Sequence, residues 1–378
     1  MGATMRRAPV AALVGAVAVS LAGAVPAGAA ASWRIVAEPP LRPASRLVDV
    51  SVTGPADAWA VGYQDNRYGH IPAQPAALVR WDGRTWSESL LPAEFDSPEA
   101  VCAVTPANVW AVGQDDRQLP YAAHWNGTAW QGYPVPDQGR FSDVSARNGK
   151  PLVVGARRAG GALVMEWDGR RFTEVAVPGS DAWSSSLHAV ASAPGGAAFA
   201  VGSWHVDDAG YPEPLIVQRT GGTWRVATLP KVLSARLTGI HARSATDAWA
   251  VGTIGYDTTR PQPLIMHWDG TSWQRVTPPT GSADLWAVGG DAAGNLWVTG
   301  SNPAEPYGVS YPGSLFLRYQ AKKWSVVYGP KVRADDPFWA ADPFLSAVEN
   351  VPGTSAFWGV GTVSDPAKDH VALVERIG

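Results

Sequence analysis

The sequence predicts an all-β protein, a seven-bladed β-propeller of four-stranded antiparallel blades whose ring is closed by an N-terminal strand pairing into the last blade. Three observations predict it. A short apolar phrase ending in glycine recurs seven times. A turn signal flanked by aromatics follows most of the copies. The last copy lacks a final strand, and the start of the folded chain supplies one.

The phrase is Trp59-Ala60-Val61-Gly62 in its first form, and it returns ending in Gly113, Gly155, Gly202, Gly252, Gly300 and Gly361. Successive glycines are 51, 42, 47, 50, 48 and 61 residues apart. A period of this size, carried by β-forming residues, is that of propeller blades rather than helical repeats. About ten residues before each glycine lies another short apolar strand, at 47–52, 100–105, 141–146, 187–192, 237–242, 285–290 and 345–350. Residues 58–62 carry no charge, as expected of a strand covered on both faces.

A third strand ends in Trp81-Asp82-Gly83, Trp125-Asn126-Gly127, Trp167-Asp168-Gly169 or Trp268-Asp269-Gly270. Asp-Gly and Asn-Gly are two-residue hairpin signals because both residues tolerate positive φ. A fourth strand begins with Trp86, Trp130, Phe172, Trp224, Trp273 or Trp324 and mixes polar residues with the aromatic, as an outer edge should. Asn126-Gly127-Thr128 matches a glycosylation sequon, but its place in the turn makes turn chemistry the better reading.

The seventh repeat runs through Val371-Ala372-Leu373-Val374-Glu375-Arg376 and then stops. Ser32-Trp33-Arg34-Ile35-Val36 has the pattern of a fourth strand such as Ser272-Trp273-Gln274-Arg275-Val276. It is expected to complete the last blade and remove the open ends of the array. Ahead of it, residues 1–31 read as a secretory signal peptide. Arg6 and Arg7 precede an apolar, small-residue stretch, with cleavage expected near Ala29 or Ala31. Residues 32–378 then form a single propeller domain, with a secreted location and no membrane span after processing.

Composition narrows the function classes. The chain has 378 residues and a formal net charge of -3, which does not favour nucleic acid or an anionic membrane as partner. One cysteine, Cys102, excludes an intrachain disulfide framework and reads as a buried strand residue. The seven histidines show no metal-ligand spacing, and neither a nucleophile elbow nor a phosphate loop is present. His188 and His241 fall on innermost strands and read as hydrogen-bonded core groups. No catalytic residue, metal or cofactor is expected.

The connections are lopsided. Those from first to second and from third to fourth strand are short. Those from second to third strand, and between blades, are long and varied. Both long sets emerge on one face of an up-and-down blade, and variable loops on a rigid scaffold are where binding resides. Of 19 tryptophans, 15 fall at repeat positions and Trp286 on an inner strand. Trp183, Trp204 and Trp339 remain, all in long connections. Beside them in sequence, or in equivalent loops, stand Tyr63 and Tyr68, then Asp116 and Arg117, then His205, Asp207 and Tyr211, then Tyr256 and Asp257, and finally Tyr307. Aromatic rings beside carboxylates suit sugar recognition, with the ring stacking on a pyranose face and polar groups taking hydroxyls.

The seven copies and the Trp-Asp-Gly-x-x-Trp hairpins together resemble secreted bacterial propellers of the galactose-oxidase/kelch-like and tryptophan-rich lectin type. The paired glycines of kelch repeats are absent. Asp269-Gly270-Thr271-Ser272-Trp273 looks like a sialidase Asp-box short of one residue, and no sialidase-type arginine cluster is evident. Such propellers are similar to lectin subunits of umbrella-toxin particles, which implies a part in bacterial antagonism. The expectation is a secreted, non-catalytic module recognising a cell-surface glycan, able to join other secreted subunits. Two alternatives stay open: a lyase or glycoside-active enzyme with its site at the axial mouth, and a protein-binding scaffold.

Overall fold

The computed structural model describes residues 32–36, 38–65, 75–135, 139–146, 150–179, 184–205, 211–301, 313–332, 343–365 and 369–378. The segment read as a signal peptide lies outside the described residues, and the propeller occupies Ser32–Gly378. Seven antiparallel sheets of four strands each make the ring, and no α-helix occurs among the described residues.

Blade 1 shows the plan, with Arg46–Gly54 innermost, then Asp57–Tyr63, Ala76–Trp81 and Trp86–Glu88 at the outer edge. The innermost strands of blades 2 to 7 are Phe95–Thr105, Arg140–Ser145, Ser186–Ser192, Ala235–Ser244, Asp284–Gly290 and Phe344–Asn350. Each packs against the innermost strands on either side, so together they line the axis.

Blade 7 is completed as expected. Arg34–Ile35 pairs antiparallel with Asp369–Ile377, Arg34 opposite Arg376 and Ile35 opposite Glu375. The Val36 N–H extends the pairing to the Val374 carbonyl at 3.0 Å. Ser45 adds a second tie just before blade 1, its N–H donating to the His370 carbonyl at 3.1 Å and its Oγ accepting the Ala372 N–H at 3.1 Å.

The core is seven apolar clusters, each bridging two neighbouring blades. The aromatic of a second strand wedges into the third- and fourth-strand pair of the next blade. Trp59 meets Trp125 and Trp130 at 5.7 Å, and Trp358 meets Trp81 and Trp86 at 5.3 and 5.4 Å. The same tryptophans carry a cation or imidazole from the paired third strand. Arg80 lies over Trp59 at 4.8 Å, Arg376 over Trp358 at 5.0 Å, and His267 stacks on Trp249 at 4.0 Å. The repeated tryptophans are therefore packing between blades.

Two local rules explain the repeat. In each blade the innermost strand bulges near its start, beside the glycine that ends the phrase. A Cβ on Gly62 would sit 2.0 Å from the Arg46 carbonyl oxygen, and one on Gly202 would sit 1.9 Å from that of Ser186. The hairpins differ in detail from simple two-residue turns. The Asp82 N–H donates to the Thr85 carbonyl at 3.3 Å, but Asp82 Oδ1 itself accepts the N–H groups of Arg84 and Thr85, both at 2.8 Å. Asn126, Asp168 and Asp269 do the same. The residue before the glycine is thus chosen for its side-chain oxygen. Asn126 spends that oxygen on the turn.

Candidate functional site

The first residues of the innermost strands form the rim of the axial opening. Arg46 lies opposite Tyr63, the last residue of its partner strand, so this rim is on the face where the long second-to-third connections emerge. Register places Ser97, Arg140, Ser186, Arg236, Asp284 and Phe344 at or beside the equivalent position in blades 2 to 7. One layer in are the bulge residues, among them Glu99, His188 and Trp286.

The polar groups of this mouth are already fixed to one another. The Tyr63 hydroxyl donates to Glu99 Oε1 across the blade 1–2 seam at 3.0 Å. Burial pushes the Glu99 carboxyl above its ordinary range, while Tyr63, Arg46 and Arg140 pull it back. Burial, followed by the charge of Glu99, pushes the Tyr63 phenol up. His188 Nδ1 is 2.8 Å from the Leu237 carbonyl, which can only accept, so Nδ1 carries the proton. Nε2 of the neutral ring then accepts from Ser186 Oγ at 2.9 Å. Burial lowers the His188 pKa, and the charges of Arg236 and Arg140 lower it further.

Arg236 is framed by aromatics. Its guanidinium lies 4.5 Å from the Tyr256 ring centre and 5.3 Å from that of Trp286, and Trp286 in turn meets Phe344 edge-on at 4.9 Å. Asp284 lies 3.7 Å from Arg236 and accepts the Thr253 hydroxyl. Burial raises the Asp284 pKa, against the pull of Thr253 and Arg236.

Deeper in, the same strands stitch the blades together. Asp49 accepts the N–H groups of Val50 and of Val101 in blade 2, each at 2.8 Å. Asp143 repeats this with Val144 and with Val190 in blade 4, at 2.7 Å. Burial raises both carboxyls, Asp49 to about 6 and Asp143 well above its ordinary value, with the charge of Asp49 adding to the latter. Cys102 Sγ accepts the Ala146 N–H at 3.2 Å, and burial pushes its thiol up to about 12, so it stays protonated. Among the described residues no three His, Cys, Asp or Glu side chains gather as a metal site.

The residues read from sequence as ligand contacts are dispersed. Tyr63 and Tyr256 reach the mouth, Tyr63 buried and Tyr256 half-buried. Asp116 and Arg117 lie on the turn after blade 2's second strand. There Arg117 pairs at 2.7 Å with Asp115, whose carboxylate also accepts the Arg117 and Leu119 N–H groups. That pair organises a turn. Trp204 and His205 are half-buried, and Trp204 lines a groove of about 350 Å³ on blade 4 with Glu213, Leu229 and Lys231. Tyr211 and Asp257 are exposed. Trp183, Trp339, Tyr68, Asp207 and Tyr307 lie outside the described residues. Sequence reasoning missed Arg46, Arg140, Arg236, Glu99, Ser186 and Asp284, and read His188 as core only. The readable signal was an arginine opening the innermost strand in blades 1, 3 and 5.

No family model matches the sequence, and no curated protein matches it. Solved structures do match in fold. Virginiamycin B lyase from Staphylococcus aureus aligns over 91% of this chain and 99% of its own, at 10% identity and a TM-score of 0.62. A puromycin-hydrolysing peptidase from Mycobacterium tuberculosis aligns over 91% of this chain and 54% of its own, at 14% identity and 0.57. The propeller domain of the Trilobed protease from Pyrococcus furiosus aligns over 87% and 95%, at 8% identity and 0.54. At these identities the likeness is one of fold. The Trilobed propeller is described as having an open velcro topology. Here the last blade takes its outer strand from the N-terminal segment.

Proposed function

We propose that this is a secreted, non-catalytic recognition protein that binds a glycan at the axial mouth of its long-loop face. One observation carries the reading. Around a single opening, the aromatic surfaces of Tyr256, Trp286 and Phe344 stand beside polar groups held by their own partners, Ser186 with His188 and Tyr63 with Glu99. A pyranose offers one apolar face and a fringe of hydroxyls, and a preorganised mixed surface of this kind suits it. The signal-peptide pattern of residues 1–31 supports an extracellular setting. Presentation among other secreted subunits would strengthen binding through avidity.

Binding fits better than glycosidic cleavage. Among the described residues the mouth's carboxyls, Glu99, Asp96 and Asp284, are each occupied by a hydroxyl donor and partly buried. The Ser186–His188 pair is the feature that favours an enzyme. Its third member is a backbone carbonyl, which offers no charge to stabilise an imidazolium, and neighbouring arginines oppose one.

The test is a glycan array probed with the purified protein, alongside Trp286→Ala and Tyr256→Ala. Binding of a defined glycan class that both substitutions weaken supports the reading. An array without binders, combined with capture of a protein partner or turnover of a glycan, replaces it with the scaffold or enzyme alternative.

A further inference from the structure

We infer that the axial mouth selects a carboxylate-bearing sugar, held by Arg46, Arg140 and Arg236. This rests on the glycan-recognition reading and narrows it. The three arginines occupy one register position in blades 1, 3 and 5, so they approach the opening from separated directions. Their fields converge. Arg46 and Arg140 both act on Glu99, and Arg140 and Arg236 both act on His188.

These guanidinium groups are incompletely used. Arg46 and Arg140 are exposed, and no ion pair or side-chain hydrogen bond joins either guanidinium group to another described residue. Arg236 is half-buried and makes only the long contact to Asp284, and its Nε is buried without a hydrogen-bond partner among the described residues. Tyr256 and Trp286 flank its guanidinium group and hold it in place.

Among the described residues the carboxyls at this mouth, Glu99, Asp96 and Asp284, each already accept a hydroxyl, whereas the guanidinium groups of Arg46 and Arg140 are exposed. Arginine stays charged at any working pH, and its fork matches a carboxylate bidentately. Farther down, the Asp49 and Asp143 carboxyls are engaged by strand N–H groups and offer an acid group no cation, so it is held at the rim by the arginines while the aromatics take the sugar ring.

The experiment uses an array carrying uronic-acid, sialic-acid, sulfated and neutral glycans, and then the best carboxylated binder against its carboxyl-reduced, neutral counterpart by calorimetry. Carboxylated glycans are expected to dominate, carboxyl reduction to weaken binding at least about tenfold, and binding to weaken with salt. Arg140→Gln and Arg46→Gln should each cost about tenfold with unchanged melting temperature, and in Arg140→Gln carboxyl reduction should matter much less. If neutral glycans bind as well, or sulfated ones alone bind, the inference fails while glycan recognition stands. If no glycan binds, both fail together.

Discussion

Trp33 lies face to face on Phe316, ring centroids 4.1 Å apart and planes 7° from parallel. The first belongs to the N-terminal segment that completes blade 7, the second to blade 6, and Trp297 meets Trp33 edge-on at 5.3 Å. The ladder that segment makes is only two residues long, so the buried indole supplies much of what holds it. Trp33→Ala should destabilise the protein by about 3–5 kcal/mol, the usual range for emptying a buried aromatic site. A double-mutant cycle with Phe316→Ala in urea should give a coupling of about 0.5–1.5 kcal/mol. Strict additivity would show that the stack contributes nothing beyond burial.

Glu375 makes the same seam sensitive to pH. It is fully buried opposite Ile35, its Oε1 accepts the Ser314 hydroxyl of blade 6 at 2.6 Å, and its Oε2 has no hydrogen-bond partner among the described residues. Burial raises its pKa to about 7, against the pull of Ser314. An acid raised in the folded state stabilises it fully below the unfolded pKa, and that contribution is lost as pH rises through the folded one. Glu375→Gln removes the dependence. Its stability relative to the parent should be nearly level at pH 4.5 and should gain on the order of 3 kcal/mol by pH 8.5. Urea titrations at the two pH values measure this, and a gap that does not change with pH would refute the assignment.

The fold was legible because its determinants are local and repeated. The phrase-ending glycine answers a carbonyl pressed against it within one hairpin, as at Gly62 and Arg46, and the Asp or Asn before the turn glycine answers two N–H groups within three residues. The mouth was not legible because its members meet only when the ring closes. Arg46, Arg140 and Arg236 each open a different blade, and in sequence each looks like an ordinary polar residue at a strand start. His188 stood out as an inner-strand histidine. Its link to Ser186 spans two residues, but its orientation depends on Leu237 of the next blade. Long-loop aromatics were a partial guide, since Tyr63 and Tyr256 reach the opening and Trp204 lines a groove on blade 4.

Asp49 and Asp143 act as staples between blades, which separates them from the mouth chemistry. Each carboxylate satisfies one N–H on its own strand and one on the next blade's innermost strand. Truncation leaves those donors unpaired, so Asp49→Ala and Asp143→Ala should each cost about 1–3 kcal/mol. They act at different seams but their charges act on each other, so each single substitution also relieves that repulsion and the double variant should lose at least the sum of the two. Chemical denaturation tests this, with glycan binding as a second readout. If either substitution abolishes binding without lowering stability, that aspartate belongs to the recognition site instead.

The repeat glycines should differ in tolerance, because the carbonyl that faces them does not approach equally in every blade. A Cβ on Gly202 would lie 1.9 Å from the Ser186 oxygen and 2.9 Å from the Leu187 Cα, both backbone atoms that move only if the bulge is remade. On Gly300 the nearest backbone oxygen, that of Asp284, is 2.8 Å away, and the other close atoms are leucine methyls at 3.0 and 3.4 Å that can shift. Neither glycine needs a positive φ, so the difference between them is one of space alone. Gly202→Ala should therefore lose more than about 2 kcal/mol, at or beyond the usual cost of overpacking, and Gly300→Ala roughly half as much. Gly202→Ala should also disturb the Ser186–His188 bond directly beside it and weaken ligand binding, whereas Gly300→Ala should spare that bond. Equal losses in stability from the two substitutions would mean that the bulge is not what demands glycine.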